Sequence, residues 1–329
     1  RIMHRIGLHG KSFIPLIMGF GCNVPAIMAT RTIESRSSRL ITVLLVPFMS
    51  CSARLPVFVL LAGVFFPAHA GTVLFCLYLL GIVVAVITAK LLRRFLFRRD
   101  DTPFVMELPP YRMPTLQSIL ILMWEKTAMY LQKAGTIILF ASIILFVINT
   151  YPVKARLDGN YDARIASVEA SALPAAEKSV AISNIEAERN GELLEYSTAG
   201  RIGRALETVL RPVGFDWRVS SALIGAFAAK ELFVAQLGIL YAVGENDASA
   251  ETLREKLRNN YTPLQGFCIM LFCLLTVPCI ATVAVVRRES GSWKFTLAQI
   301  GLYTLTAYVL TLLVFQAGML FNIGTRLLS

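Results

Sequence analysis

The chain has 329 residues, 56% of them hydrophobic and 16% charged, with a mean hydropathy of +0.63 and a formal charge of +11. Soluble domains run at about 45–50% apolar and about 25% charged, so this chain has too little polar surface to cover a water-soluble globule, and its composition points to the bilayer as solvent. Twenty Phe, ten Tyr and three Trp exclude a disordered chain, and six cysteines are too few for a disulfide-stapled scaffold.

Apolar runs long enough to cross about 30 Å of hydrocarbon, roughly 20 residues each, lie at 13–29, 40–66, 72–95, 127–149, 219–243, 264–286 and 295–320. They predict an all-α, polytopic transmembrane helix bundle. The first run contains Gly19, Gly21 and Pro25 and lacks a small-residue cleavage pattern, so it is not read as a signal peptide. The chain opens on Arg1, the pattern of a piece of a longer protein.

Basic residues gather at particular ends of these runs. Arg31, Arg36 and Arg39 follow the first, and Lys90, Arg93, Arg94, Arg98 and Arg99 follow the third. Two spans separate the clusters, so both face one side, which the positive-inside rule makes cytoplasmic. The net charge is therefore a topology signal, and nucleic-acid binding is excluded as its cause. Continuing the alternation puts residues 150–215 outside, the end near Arg326 in the cytoplasm, and Arg287, Arg288 and Glu289 outside, against the rule. The polar 150–215 insert reads as a surface helix pair. Pro174 suits the start of a helix over Ala175 to Arg189, and Ile202, Ala205, Leu206, Val209 and Leu210 share one face before Pro212. Residues 244–262 read as a connector.

Prolines interrupt several runs: Pro25, Pro47, Pro56 and Pro278. Each deletes a backbone donor, and in a membrane that is tolerated where protein or a wet cavity satisfies the freed groups. Such breaks suit either packing or a transporter gate. Val24-Pro25-Ala26-Ile27 and Val277-Pro278-Cys279-Ile280 resemble each other, each with a cysteine beside it. On the alternation above they run oppositely across the bilayer, which predicts an inverted repeat. Arg54, Lys230 and Glu231 lie deep within runs, where burying a charge costs at least about 2.5 kcal/mol. They form either a structural ion pair or part of a cation pathway with Glu231 as acceptor.

Cys22 and Cys51 stand at breaks, whereas Cys76 and Cys273 read as packing residues. Cys268 and Cys279 are eleven residues apart, which predicts one helical face. Thiols with a carboxylate suit a borderline divalent metal such as Fe(II) over Mg or Ca, and packing is the competing reading. There is no CxxC, HExxH, GxSxG or Ser/His/Asp set, and His4, His9 and His69 sit in loops, so no catalytic machinery is expected. Gly10-Lys11-Ser12 imitates the end of a phosphate loop, but Arg5 stands where its first glycine belongs.

The motifs Gly19-Phe20-Gly21-Cys22-Asn23-Val24-Pro25-Ala26-Ile27 and Pro47-Phe48-Met49-Ser50-Cys51-Ser52-Ala53-Arg54-Leu55-Pro56 resemble the first gate region of the ferrous iron transport protein B (FeoB) family. Pro103-Phe104-Val105-Met106-Glu107-Leu108-Pro109, Lys133-Ala134-Gly135-Thr136, Ala229-Lys230-Glu231 and the stretch from Val277 through Glu289 are similar to its later landmarks, in order. The resemblance implies the permease portion of a multi-pass Fe(II) uptake transporter of the bacterial cytoplasmic (inner) membrane. It divides the chain into 1–70 (C-terminal half of the first gate region), 71–126 (transmembrane helix and cytoplasmic connector), 127–149 (transmembrane helix), 150–215 (extracytoplasmic insert), 216–290 (second gate region) and 291–329 (last transmembrane helix). It implies Cys22, Cys51, Cys279 and Glu231 as iron-handling residues and Gly21, Pro25, Arg54, Pro56, Lys230 and Pro278 as gate residues. No cofactor is expected to be held; Fe(II) is the cargo, and GTP with Mg belongs to an N-terminal GTP-binding domain outside this chain. Implied partners are the lipid bilayer, that domain, small cytoplasmic accessory proteins and a second copy of the chain in a homo-oligomer. A nucleoside permease, which shares related gate segments, and a non-transporting membrane scaffold or receptor are the alternatives.

Overall fold

A computed structural model describes residues 8, 10–95, 115–150, 155–170, isolated positions between 178 and 196, and 197–241, 250–322 and 324. The motif at 103–109, Arg98 and Arg99, His4, His9, Arg326 and most of the helix expected over 175–189 lie outside the described residues. Among those described, the regular structure is helical throughout, as the composition requires of a chain whose backbone must satisfy itself in lipid.

Among the described residues, four helical stretches are long and apolar enough to cross a membrane: Arg36–Phe65, Ala70–Phe95, Pro263–Ser290 and Trp293–Leu320. They correspond to four of the seven apolar runs. The run at 127–149 lies within one 35-residue helix, Leu116–Thr150. The other two are not single helices. The run at 13–29 is two short helices, α1 (Phe13–Met18) and α2 (Asn23–Ala29). Of the run at 219–243, the described residues up to 241 form a helical hairpin, set out below.

The next elements are α3 (Arg36–Leu45), α4 (Leu55–Phe65), α5 (Ala70–Phe95), α6 (Leu116–Thr150) and α7 (Ala155–Glu169). Then come α8 (Thr198–Leu210), α9 (Trp217–Ala228), α10 (Leu232–Leu240) and α11 (Ala250–Asn260). The chain closes with α12 (Pro263–Leu275), α13 (Ile280–Ser290) and α14 (Trp293–Leu320). The two broken stretches, α3 with α4 and α12 with α13, are mostly buried, whereas α5 and α14 are mostly exposed. This sorting has a physical cause. Interrupted backbone needs protein around it, whereas an intact helix can face lipid along its length.

The chain folds as two compact units. One comprises Arg1–Ser52, Tyr78–Ala141 and Ile280–Ile300. Its core joins Ala26 and Ile27 of α2, Val43 of α3, Val46 just beyond it and Val286 of α13, with Leu16, Val285 and Phe295 against them. Ser35 caps α3 by accepting from the Ser38 N–H, and Thr42 Oγ1 bonds Ser12 Oγ at 2.9 Å, which ties the 3-10 turn Gly10–Ser12 to α3. Arg93 Nη2 donates to Ser38 Oγ at 2.8 Å, so the basic end of α5 meets the first turn of α3.

In this unit α2 and α13 run in the same direction. Ala26 and Ile27 share a core with Val285 and Val286, and three to five residues further along the chain from each Arg31 pairs with Glu289. Opposite directions were expected for the two proline motifs; within this unit these contacts align α2 and α13 the same way.

The other unit comprises Ala53–Leu77, Ser142–Cys279 and Gly301–Ser329. Asp216 caps α9 through the Val219 N–H at 2.9 Å. After Ala228 the chain turns through Ala229, Lys230 and Glu231, with Leu232 N–H bonded to Ala229 O and Phe233 N–H to Lys230 O. It then returns as α10, so that a Cβ on Gly225 would touch Leu232 O and the Gln236 side chain. Helix α12 starts on a full capping box, with Thr262 and Gln265 bonding each other's backbone N–H and Pro263 in the first turn. Gln265 Nε2 also reaches Gly214 O at 3.0 Å. The carbonyls around the end of α8 have no helical partner of their own; Tyr308 and Gln316 of α14 donate to Val209 O and Pro212 O at 3.1 and 3.2 Å.

Candidate functional site

The first unit contains two chain breaks clasped to each other. Helix α1 closes with Gly21 N–H and Cys22 N–H both bonded to Met18 O. Cys22 is then extended (φ −149°, ψ 133°) before α2 restarts at Asn23. Pro25 falls in the first turn of α2, where its missing N–H has no intrahelical partner to lose, so it marks a restart rather than a kink. On the other strand of the clasp, α3 tightens into the 3-10 turn Val46–Phe48 around Pro47 and opens at Met49 (ψ 132°). A second 3-10 turn, Ser52–Arg54, leads into α4, with Pro56 again in a first turn. Ser52 donates both its N–H and its hydroxyl to Gly21 O, at 3.1 and 2.8 Å. A Cβ on Gly19 would stand 3.1 Å from Met49 Cβ, which shows how closely the two segments lie. Cys51 is buried and Cys22 half-buried.

The second unit contributes the remaining site residues. Helix α12 ends at Leu275, and Thr276 is extended (ψ 168°). Pro278 and the half-buried Cys279 follow in the non-helical link before α13. This break corrects one sequence expectation: Cys268 and Cys279 cannot share a helical face, because the helix between them stops. Lys230 and Glu231, expected midway through a span, instead form the tip of the α9–α10 hairpin. The two neighbours diverge there: Lys230 is 3% exposed and Glu231 is exposed. Arg54 is 1% exposed, and Arg54 and Lys230 both lie within Coulombic reach of the buried Cys273 of α12.

Cys22, Gly21, Pro25 and Cys51 therefore belong to one unit, and Arg54, Pro56, Lys230, Glu231, Pro278 and Cys279 to the other. Among the described residues, no three His, Cys, Asp or Glu side chains converge as a metal cage. Sequence reasoning chose thiols and a carboxylate and passed over Asn23 and Ser50, which flank the two thiols. The available signal was a polar residue inside an apolar run with no neighbour in sequence to satisfy it.

Residues 74–126 match the family model described as ferrous iron transport protein B C terminus, and residues 1–65 and 131–293 match the Gate model, described as nucleoside recognition. The chain belongs to the ferrous iron transport protein B family. It is 48% identical over 333 residues to the Fe(2+) transport protein A/Fe(2+) transporter FeoB fusion protein of Porphyromonas gingivalis, covering 98% of this chain and 39% of that protein. It is 41% identical to the Fe(2+) transporter FeoB of Helicobacter pylori (strain J99), over 96% of this chain and 50% of that protein. It is 38% identical to the Fe(2+) transporter FeoB of Methanocaldococcus jannaschii, over 97% of this chain and 43% of that protein. The chain thus spans half or less of the length of these curated relatives, and no solved structure matches it significantly. In this FeoB family member the two Gate matches contain both proline breaks and the hairpin, and the C-terminus match covers most of α5 and the start of α6.

Proposed function

We propose that this chain is the permease portion of an Fe(II) uptake transporter of the bacterial cytoplasmic membrane, working with a GTP-binding domain elsewhere in the full-length protein. The observation that carries this reading is the pair of buried, proline-broken helices, each with a cysteine at its break, in a chain whose relatives are Fe(2+) transporters. Open backbone buried at membrane depth beside a thiol is what a desolvated borderline cation needs. Glu231 and Cys279 meet the ion in one unit, Cys22 and Cys51 in the other, and movement at the breaks gates it. A small accessory protein is a fitting partner, since the Porphyromonas gingivalis relative is named as a fusion with Fe(2+) transport protein A.

The common direction of α2 and α13 supports one sidedness. Arg31, Arg36, Arg93, Arg287 and Arg288 gather at one end of the first unit, and that end faces the cytoplasm by the positive-inside rule. The exception that the simple alternation created at Arg287 and Arg288 disappears, and α14 leads back to the outer face.

The test is anaerobic Fe(II) uptake by the reconstituted full-length protein. Replacing Cys22, Cys51 and Cys279 together by Ser abolishes uptake on this reading; uptake at the wild-type rate overturns the thiol route. The Gate description favours a nucleoside as alternative cargo, and uptake of uridine that Fe(II) does not compete away would replace iron by it.

A further inference from the structure

The clasp between the two breaks of the first unit buries polar atoms that no described residue satisfies. Asn23 is 3% exposed and Ser50 2% exposed. Neither Asn23 Oδ1 nor Ser50 Oγ has a hydrogen-bond partner among the described residues. A buried orphan of this kind is destabilising, and an apolar side chain of similar shape would remove the cost. Here there are two, each next in sequence to a thiol. Asn23 directly follows Cys22, Ser50 directly precedes Cys51, and the bonds from Ser52 to Gly21 O hold the two segments together. No cage of three His, Cys, Asp or Glu side chains is available among the described residues. A cation at this clasp would have to draw on neutral oxygens as well as sulfur.

We propose that Asn23 Oδ1 and Ser50 Oγ are cargo ligands, forming with Cys22 and Cys51 a mixed oxygen and sulfur site for a divalent cation in transit. The inference rests on the Fe(II) reading above and adds to it the residues that set selectivity and residence time. Amide and hydroxyl oxygens alone suit Mg or Ca, and thiolates alone suit Zn or Cu(I); a mixed set suits the borderline Fe(II). Neutral oxygens also hold the ion weakly, and conduction needs a site favourable enough to enter and weak enough to leave.

Two effects of opposite sign follow, and together they distinguish a ligand from a packing group. The full-length protein is purified as wild type, Ser50→Ala, Asn23→Leu and Asn23→Asp. Thermal unfolding of the metal-free protein, the Fe(II) concentration that half-protects Cys22 and Cys51 from maleimide, and anaerobic Fe(II) uptake are measured on each. The expected result is that Ser50→Ala and Asn23→Leu unfold at or above the wild-type temperature, because an orphan is gone. Their half-protecting and half-saturating Fe(II) concentrations rise about tenfold or more, and Asn23→Asp, which keeps an oxygen in place, binds at least as well as wild type. Wild-type concentrations in both Ser50→Ala and Asn23→Leu overturn the inference and leave the Fe(II) reading standing. If Asn23→Leu unfolds early, Ser50→Ala decides alone, since it removes a single oxygen. Absence of both protection and uptake in the wild-type protein overturns the Fe(II) reading itself, and this site with it.

Discussion

Arg31 grips the carboxylate of Glu289, its Nε 3.0 Å from both oxygens and its Nη2 closing on Oε1. Arg31 lies just beyond α2 and Glu289 in the last turn of α13, so the pair fixes two helices 258 positions apart in sequence at the same height and in the same direction. The Glu289 side chain is 7% exposed and that of Arg31 49%, so one partner is buried and the other half in solvent. Glu289 accordingly raises the affinity of the Arg31 guanidinium for its proton, by hydrogen bonding first and charge second.

Removing Arg31 leaves Glu289 buried without its guanidinium. Arg31→Ala is expected to destabilise the protein by about 1–2 kcal/mol, less than for a fully buried pair because Arg31 is partly screened by water. A double-mutant cycle with Glu289→Gln, read by thermal unfolding in detergent, should show coupling that shrinks as salt is raised. Strict additivity would mean that the pair does not hold α2 to α13.

The direction of α13 predicts a labelling pattern. Lys294→Cys and Arg36→Cys, each in an otherwise cysteine-free full-length protein, should react with an impermeant maleimide only from the cytoplasmic side. Phe321→Cys, at the far end of α14, should react only from outside. Labelling of Lys294→Cys from outside would restore the alternation of seven single spans.

Gly266 in the first turns of α12 faces the ring of Phe65 at the end of α4, and a Cβ there would overlap the ring. Gly266→Ala is expected to cost about 1–3 kcal/mol through overpacking. The double variant with Phe65→Leu should recover part of the loss in a melting curve. Full stability of Gly266→Ala alone would place α4 and α12 further apart.

Tyr261 donates its hydroxyl to Asp216 Oδ1 at 2.8 Å, at the N-terminal cap of α9. Burial, and then the Asp216 carboxylate, push its phenol well above the ordinary value of 10. A group bound to its proton more tightly in the folded state contributes stability that is complete below the unfolded value and is lost as pH rises beyond it. Stability should therefore decline above about pH 10, and Tyr261→Phe should flatten that decline while lowering stability near neutrality by about 1 kcal/mol. Parallel pH profiles for the two proteins would show that Tyr261 does not titrate with unfolding.

Much of the site was visible before the fold. The prolines at 25, 47, 56 and 278 mark interruptions because a residue without an N–H must sit in a first turn or a gap, and each of the four does. The cysteines beside them follow from the same motifs. Asn23 and Ser50 were not visible as a pair, because what sets them apart is burial without a partner, and that depends on the neighbours that 26 intervening residues bring round. The Coulombic grouping of Arg54, Lys230 and Cys273 was hidden for the same reason.

Composition and patterning by themselves determined the solvent, the helical class, the positions of the breaks and the basic ends, since these depend on transfer energies and backbone chemistry that each residue carries with it. Direction was decided only in three dimensions. An apolar run of some 25 residues suits one crossing or a hairpin equally well, because hydropathy has magnitude and no sense. The choice for residues 219–243 lay in the contact of Gly225 with Gln236 across the turn at Lys230. Within the first unit, the direction of α13 against α2 was likewise decided by contacts between residues far apart in sequence, the shared core of Ala26, Ile27 and Val286 and the pairing of Arg31 with Glu289.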